Sequence, residues 1–259
     1  MISFTIITPV FNAEKEVEAT LKSVREQSYP LVEHIILDNC STDNTLSLCF
    51  NYKQQNDEAQ SSHDVKVITE PDKGLYDAMN KGIEMASNDY IVFLNAGDRL
   101  PQSDTLETIA ANVGEGESLP AVLYGDTEII SREGRVIGKR HKRPPQNLSW
   151  RSFKWGMLVC HQAFYALTEI AKQTPYNLNY KYSSDVDWCI RIMKTAAKEK
   201  RPLRNVNQVI AHFLEGGMSM KHHKASLEER FQLMRHHYGL PTTLFTHCCF
   251  AVKKIIENI

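Results

Sequence analysis

The apolar positions of this chain switch repeatedly between two spacings. Residues 3–10 form a nearly unbroken apolar run, the pattern of a strand covered on both faces. Ala13, Val17, Leu21 and Val24 then recur at helical spacing, which predicts a helix over 13–27 with Asn12 at its N-cap. Residues 34–38 predict a second strand, 45–54 a second helix, 56–64 a polar loop and 65–70 a third strand. Leu75, Met79, Gly82, Ile83 and Ala86 mark a third helix, and 90–94 a fourth strand. A further helix opens at Ser103 or Asp104 with Leu106, Ile109 and Val113 inward, and 121–124 is strand five. Strand and helix alternate with short joints, so the expected class is α/β with a mostly parallel central sheet and right-handed crossovers.

After Gly125 the texture changes. Residues 127–139 read as a hairpin turning at Glu133-Gly134, followed by a basic arm and a stretch holding Trp150 and Trp155. A strand over 159–166, a helix over 184–197 and a last strand over 208–214 follow. Helices over 225–238 and 242–257 close the chain, and no internal repeat is visible.

Composition narrows the class. With 259 residues and 42% hydrophobic side chains, the chain can bury a sizeable core. A formal charge of −1 argues against a dedicated nucleic-acid binder. The six cysteines form no CxxC pair, so structural zinc is not expected, and scattered thiols suit a reducing, cytoplasmic setting. No apolar run approaches the roughly 20 residues that span a bilayer.

Candidate chemistry collects at strand ends, where open parallel sheets bind ligands. Thr8-Pro9-Val10-Phe11-Asn12 ends strand one, and Phe11 can stack on a base or fill a tight turn. Asp38 ends strand two and suits a base or ribose contact, whereas Asp43 suits a helix cap. Asp72-Lys73-Gly74 precedes the third helix, where phosphate is favoured. Asn95-Ala96-Gly97-Asp98 ends strand four; Asp98 can bind a hard cation or simply close a turn before Pro101. Asp185 lies in the first turn of its helix, where the dipole favours an ionised carboxylate, as a cap or as a proton acceptor. His161-Gln162 and His212 are isolated, and a lone histidine is more often packed or solvated than a ligand or catalyst. Residues 132–154 carry eight Lys/Arg and one acid, which fits a solvated hairpin, a phosphorylated acceptor or an anionic membrane surface. Leu244, Cys248, Val252, Ile255 and Ile259 share one side of the last helix beside Lys253-Lys254. Core packing, a dimer face and a membrane-surface helix all fit that pattern.

Taken in order, these segments resemble the family-2 glycosyltransferases. The matching residues are Thr8-Pro-Val-Phe-Asn12, Ser23-Val-x-x-Gln27-Ser-Tyr-Pro30, Ile35-Ile-Leu-Asp38 with Ser41-Thr-Asp43 and Thr45, and Glu70-x-Asp72-x-Gly74. Asp77-Ala-x-Asn80-Lys-Gly82, Tyr90 through Asp98, Asp185 with Arg191 six residues on, and Gly216-Gly-x-Ser219 complete the set. The likeness is strong over residues 3–100, thinner to 220, and absent beyond.

The resemblance implies a Rossmann-like GT-A fold with a hairpin and acceptor region and C-terminal helices. It implies a domain over 1–220, with a nucleotide-sugar half at 1–100 and an acceptor half at 101–220, and a helical appendage at 221–259. It implies an inverting glycosyltransferase of the hexosyltransferase type that uses a nucleotide-diphospho-sugar, most often UDP-linked. Thr8, Pro9, Phe11, Asn12, Asp38, Asp72, Lys73, Asn95, Ala96 and Gly97 would hold the donor. Asp98 would bind Mn²⁺ or Mg²⁺, Asp185 would be the general base, and His161, Gln162 and Trp188 would lie on the acceptor side. The acceptor would be a glycan or a lipid-diphosphate-linked glycan of polysaccharide or cell-envelope biosynthesis, with peripheral membrane contact and a homodimer through the last helices both open. The family usually shows Asp-x-Asp; here the aligned positions are Asn95, Gly97 and Asp98, so one carboxylate remains. A nucleotidyltransferase would want an early Gly-rich basic loop, and Thr8 to Asn12 has neither glycine nor lysine. A module that binds nucleotide-sugar without turnover is the other alternative.

Overall fold

The computed structural model describes residues 1–114, 118–216 and 223–257. Its centre is an eight-stranded sheet in the order β3-β2-β1-β4-β7-β5-β6, with β8 paired to β5. The strands are β1 (Phe4–Val10), β2 (Val32–Asp38), β3 (Asp64–Thr69), β4 (Tyr90–Phe93), β5 (Val122–Ile130), β6 (Val136–Lys139), β7 (Phe164–Leu167) and β8 (Leu203–Leu214). The helices are α1 (Val17–Arg25), α2 (Thr45–Glu58), α3 (Leu75–Met85), α4 (Thr105–Ala111), α5 (Thr168–Lys172), α6 (Ser184–Lys198), α7 (His223–Tyr238) and α8 (Leu240–Glu257).

Register decides where the chain can build a site. β1, β2, β3 and β4 are parallel, with Val10 opposite Asp38 and Ile7 opposite Phe93. The segments that leave β1, β2 and β4 therefore emerge at one edge. β7 runs antiparallel between β4 and β5, pairing Ile91 with Ala166 and Tyr124 with Phe164. That direction brings the residues before β7, rather than those after it, to the same edge. β8 is parallel to β5, and its end joins this edge through backbone bonds between Arg99 and His212. Close packing holds the layers in place: a Cβ on Gly82 of α3 would lie 2.5 Å from Ile7 Cγ2 of β1.

Several expected boundaries move for visible reasons. Asn12 does not cap α1, which begins at Val17; Asn12 sits at φ 47 and accepts the Thr42 N–H at 2.9 Å. α2 runs on to Glu58, and Asn56 is held by a 2.9 Å bond to the His63 carbonyl, so the polar stretch is mostly helix. β5 does not stop at Tyr124 but passes through Gly125 to Ile130 with register shifts against β8. The strand expected over 159–166 opens as a 3₁₀ turn, His161–Ala163, before β7. The tryptophan-bearing stretch forms another 3₁₀ helix, Trp150–Trp155. The hairpin turns as expected, with Gly134 at φ 82. The expected late-loop residues Gly217 and Ser219, together with Ile259, lie outside the described residues.

The segment past residue 220 is packed into the body of the protein. Leu233 of α7 is fully buried in the main core, and Tyr238 donates to the Trp150 carbonyl at 2.6 Å while stacking on its ring. No helix among the described residues is long and apolar enough to cross a membrane. All six cysteines are free.

Candidate active site

The strand ends enclose a cavity of about 700 Å³. Pro9 lines it from the end of β1, Phe11 and Asn12 from just beyond, Asn39 after β2, Asp72 and Gly74 before α3, and Asn95, Ala96 and Asp98 after β4. Arg132 enters from the β5–β6 turn, and Leu214 at the end of β8 closes it with Glu215 and Gly216. Phe11 is 58% exposed, an aromatic face left free for a flat ligand. The walls are fixed by local bonds. Asp72 Oδ1 accepts the Gly74 N–H at 2.7 Å, closing a turn that Gly74 permits at φ 122. Asn39 Oδ1 accepts the Asp72 N–H at 2.8 Å, tying the second and third walls together.

Not every expected donor contact reaches this cavity. Thr8 is fully buried and its hydroxyl bonds to His34 Nε2 at 2.9 Å, so its side chain belongs to the sheet interior. Burial holds His34 uncharged, its pKa pushed down to about 3. Asp38 is also buried; it accepts the Ser41 N–H and the Thr69 hydroxyl, and the residue that lines the cavity at this strand end is Asn39. Lys73 is exposed and is not among the lining residues; its N–H is taken by Asp77 Oδ2 at 2.9 Å. Gly97, at φ 99, serves packing: a Cβ there would lie 2.4 Å from Leu214 Cδ2. Trp188 corrects an expectation. It is fully buried against Tyr176, Phe93 and Phe164, because its place on α6 faces the core rather than an acceptor.

Two carboxylates are held by two adjacent residues. Gln162 Nε2 donates to Asp98 Oδ2 at 2.8 Å, and the Leu214 N–H donates to Asp98 Oδ1 at 3.0 Å. His161 Nδ1 lies 3.3 Å from Asp185 Oδ2, and its Nε2 lies 3.2 Å from Asn95 Nδ2. An amide nitrogen donates, so with Asn95 in this orientation Nε2 accepts and Nδ1 carries the proton toward Asp185. Successive residues of a 3₁₀ turn diverge by about a third of a turn, which lets neighbours reach different acids. His161 and Gln162, expected near an acceptor, thus bridge the two acids. Asp185 is not among the residues lining the cavity; the Asn95–His161 pair links it there.

The surroundings shift the two acids in opposite directions. Burial pushes Asp98 up to about 6, against the pull of the Gln162 and Leu214 bonds. Asp185 is partly buried, which raises its pKa. The His161 hydrogen bond, the Val186 N–H and Arg230 together outweigh burial and hold it below the ordinary value. Asp185 also receives the Tyr76 hydroxyl at 3.4 Å.

Two contributors, Glu229 and His237, gave no signal in the sequence. Glu229 of α7 accepts the N–H groups of Lys181, Tyr182 and Ser183 at 2.7, 2.7 and 3.1 Å, fixing the strand of chain that leads into Asp185. His237 Nε2 meets Asp187 Oδ1 at 2.8 Å, and Arg191 Nε meets Asp187 Oδ2 at 2.6 Å. Arg132 was visible only as part of a basic stretch. Such partners lie far apart in sequence and follow no period.

The donor atoms suit a hard cation only in company. Among the described residues no three His, Cys, Asp or Glu side chains gather to hold one. Asp98 supplies a single carboxylate, and the amide oxygens of Asn95 and Gln162 are buried without a partner. A set of few protein oxygens, completed by ligand phosphates, is how Mg²⁺-type ions are commonly bound.

The glycosyl transferase family 2 model matches residues 5–171. The chain belongs to glycosyl transferase family 2. A PGL/p-HBAD biosynthesis glycosyltransferase of Mycobacterium bovis is 34% identical over 218 residues, covering 83% of this chain and 78% of the relative. Staphylococcus aureus TarS 1–349, solved in complex with UDP-GlcNAc, superposes with a TM-score of 0.69 at 20% identity. That match covers 90% of this chain, which spans 65% of the TarS fragment. Glucosyl-3-phosphoglycerate synthase from Mycobacterium tuberculosis, in complex with Mn²⁺, UDP and glucosyl-3-phosphoglycerate, superposes at 0.59 with 15% identity over 90% of this chain and 79% of the synthase. These likenesses show the GT-A fold, and the strand-end cavity lies on the matched family-2 core.

Proposed function

We propose that this family-2 glycosyltransferase moves a sugar from a UDP-sugar to a hydroxyl of a glycan or lipid-diphosphate-linked glycan, with inversion at the anomeric carbon. The observation that carries the reading is the ionised Asp185 carboxylate, joined through His161 to Asn95 on the cavity wall. Asp185 takes the proton of the acceptor hydroxyl. The acceptor oxygen forms its bond to the anomeric carbon as the bond from that carbon to the diphosphate breaks. Phe11 and Asn39 would flank the nucleotide, and Arg132, exposed on the cavity wall, would meet the diphosphate. Asp98 would hold a Mn²⁺ or Mg²⁺ ion, whose charge would favour departure of the diphosphate. UDP-bearing relatives of the same fold support the donor class.

The test is Asp185→Asn in a UDP-release assay over a panel of UDP-sugars, with GDP-mannose as a contrasting donor. Turnover should fall by roughly 10²-fold or more. Near-normal turnover would remove Asp185 from this role. Product NMR should give the anomer opposite to the donor's. The occupation of both Asp98 oxygens by Gln162 and Leu214 favours one second reading, a module that binds the donor without turnover. Calorimetric UDP binding with no hydrolysis or transfer from any donor would select it.

A further inference from the structure

The last helix is inside out. On α8, Thr243 and Thr246 are fully buried, while Leu244, Phe245 and Val252 are 49%, 63% and 55% exposed. The buried hydroxyls are satisfied by the chain itself: Thr243 Oγ1 donates to the Gly239 carbonyl at 2.8 Å, and Thr246 Oγ1 lies 3.0 Å from the Thr243 carbonyl. A water-facing helix ordinarily turns such residues the other way. Contiguous exposed apolar side chains on one helix mark a surface meant to be covered.

The opposite flank of α8, where Phe250 follows the buried Thr243 and Thr246 on one stripe, is basic and aromatic. The 3₁₀ helix Trp150–Trp155 packs against α8, and Trp155 meets Phe250 edge-on at 6.3 Å while staying 39% exposed. Lys142 Nζ lies 4.9 Å from the centre of the Phe250 ring and donates to the Trp155 carbonyl at 2.7 Å. Lys154 stands over Trp155 at 5.6 Å, and Arg151 over Trp150 at 4.6 Å. These cations belong to the stretch 132–154, with its eight Lys/Arg and one acid. Tryptophan beside lysine and arginine, packed on a helix that carries an apolar face, is the side-chain chemistry of a bilayer interface.

We propose that this face docks on an anionic lipid bilayer, with Leu244 and Phe245 entering the acyl boundary and Lys142, Arg151 and Lys154 at the headgroup phosphates. The helix would lie in the plane of the surface, since it is not apolar enough to cross. A second copy of the chain fits less well, because two-fold pairing of the same patch would set its basic flank against itself. The docking surface stands apart from the cavity residues, so it is testable whether or not the transfer reaction proposed above is right.

The experiment is flotation of the full chain with vesicles of equal parts phosphatidylglycerol and phosphatidylcholine, against vesicles of phosphatidylcholine alone. The protein should float with the anionic vesicles, stay behind with the neutral ones, and be released by high salt. Leu244→Asp with Phe245→Asp should lower the partition coefficient about tenfold or more. Arg151→Gln with Lys154→Gln should lower it on anionic vesicles only. Melting curves of both variants check that they remain folded; the exposed positions predict little change. Three results would overturn the proposal: no flotation with anionic vesicles, flotation unaffected by the Leu244 and Phe245 changes, or a stable dimer in sedimentation that Phe245→Asp dissociates.

Discussion

Asp98 is buried and Asp185 partly so, and their surroundings push them in opposite directions. For Asp185, a histidine ring, a backbone N–H and a nearby arginine outweigh burial. For Asp98, two neutral donors do not. The difference has a consequence for the metal-free protein. The folded pKa of Asp98 is about 6 against an ordinary 3.8, so the folded state binds this proton more tightly than the unfolded state. Its stabilising contribution is therefore full below the ordinary value and is lost as pH rises through about 6. The loss by pH 7 is about 3 kcal/mol, an order-of-magnitude figure from the shift. Asp98→Asn cannot ionise and should lack this slope. Urea midpoints of wild type and variant, measured without metal from pH 4 to pH 7.5, should diverge in the variant's favour as pH rises. Parallel curves would mean that Asp98 titrates normally.

At the scale of elements, the reaching distance of α7 matters most. Glu229 spans to three successive N–H groups that lead into Asp185, and His237 of the same helix closes on Asp187 two residues later. A carboxylate that accepts three N–H bonds in a partly shielded place contributes about 2 kcal/mol. Glu229→Gln places an amide NH₂ against backbone donors, so the loop should loosen without disturbing the donor walls. The expected result is a urea midpoint lowered by that amount and a reduced kcat, with the KM for the donor little changed. A raised donor KM with normal kcat would place Glu229 elsewhere in the cycle. This element also marks where reading the sequence stops. β1 through β4 and α3 were legible because burial on fixed faces imposes a period, and Gly97 and Asp98 stood out at a strand end. Glu229 was not legible, since a side-chain bond to backbone leaves no trace in its partners' identities. Trp188 was expected on the acceptor side for a related reason: which face of its helix a tryptophan takes is not visible until the helix is packed.

For the molecule as a whole, the question is whether so spare an acidic motif can couple metal to nucleotide. Asp98, the unpartnered amide oxygen of Asn95 and the exposed Arg132 share the cavity wall with Glu16, Asp72 and Glu215, and the unpartnered amide oxygen of Gln162 belongs to the side chain that holds Asp98. One carboxylate already engaged by two donors should bind Mn²⁺ weakly on its own. A diphosphate would add oxygens and charge, so each ligand should strengthen the other by the same factor. Ligand at about 100 times its Kd adds about 2.7 kcal/mol to folding stability. At this chain length that raises Tm by roughly 5–10 °C. Mn²⁺ alone should barely move Tm, UDP alone should move it less than UDP with Mn²⁺, and Asp98→Ala should erase the difference between the last two. If Arg132 and the cavity walls neutralise the diphosphate by themselves, UDP will shift Tm equally with and without Mn²⁺ in the wild type. The replacement of the usual acids by Asn95 and Gly97 would then mark a donor site that works without a metal.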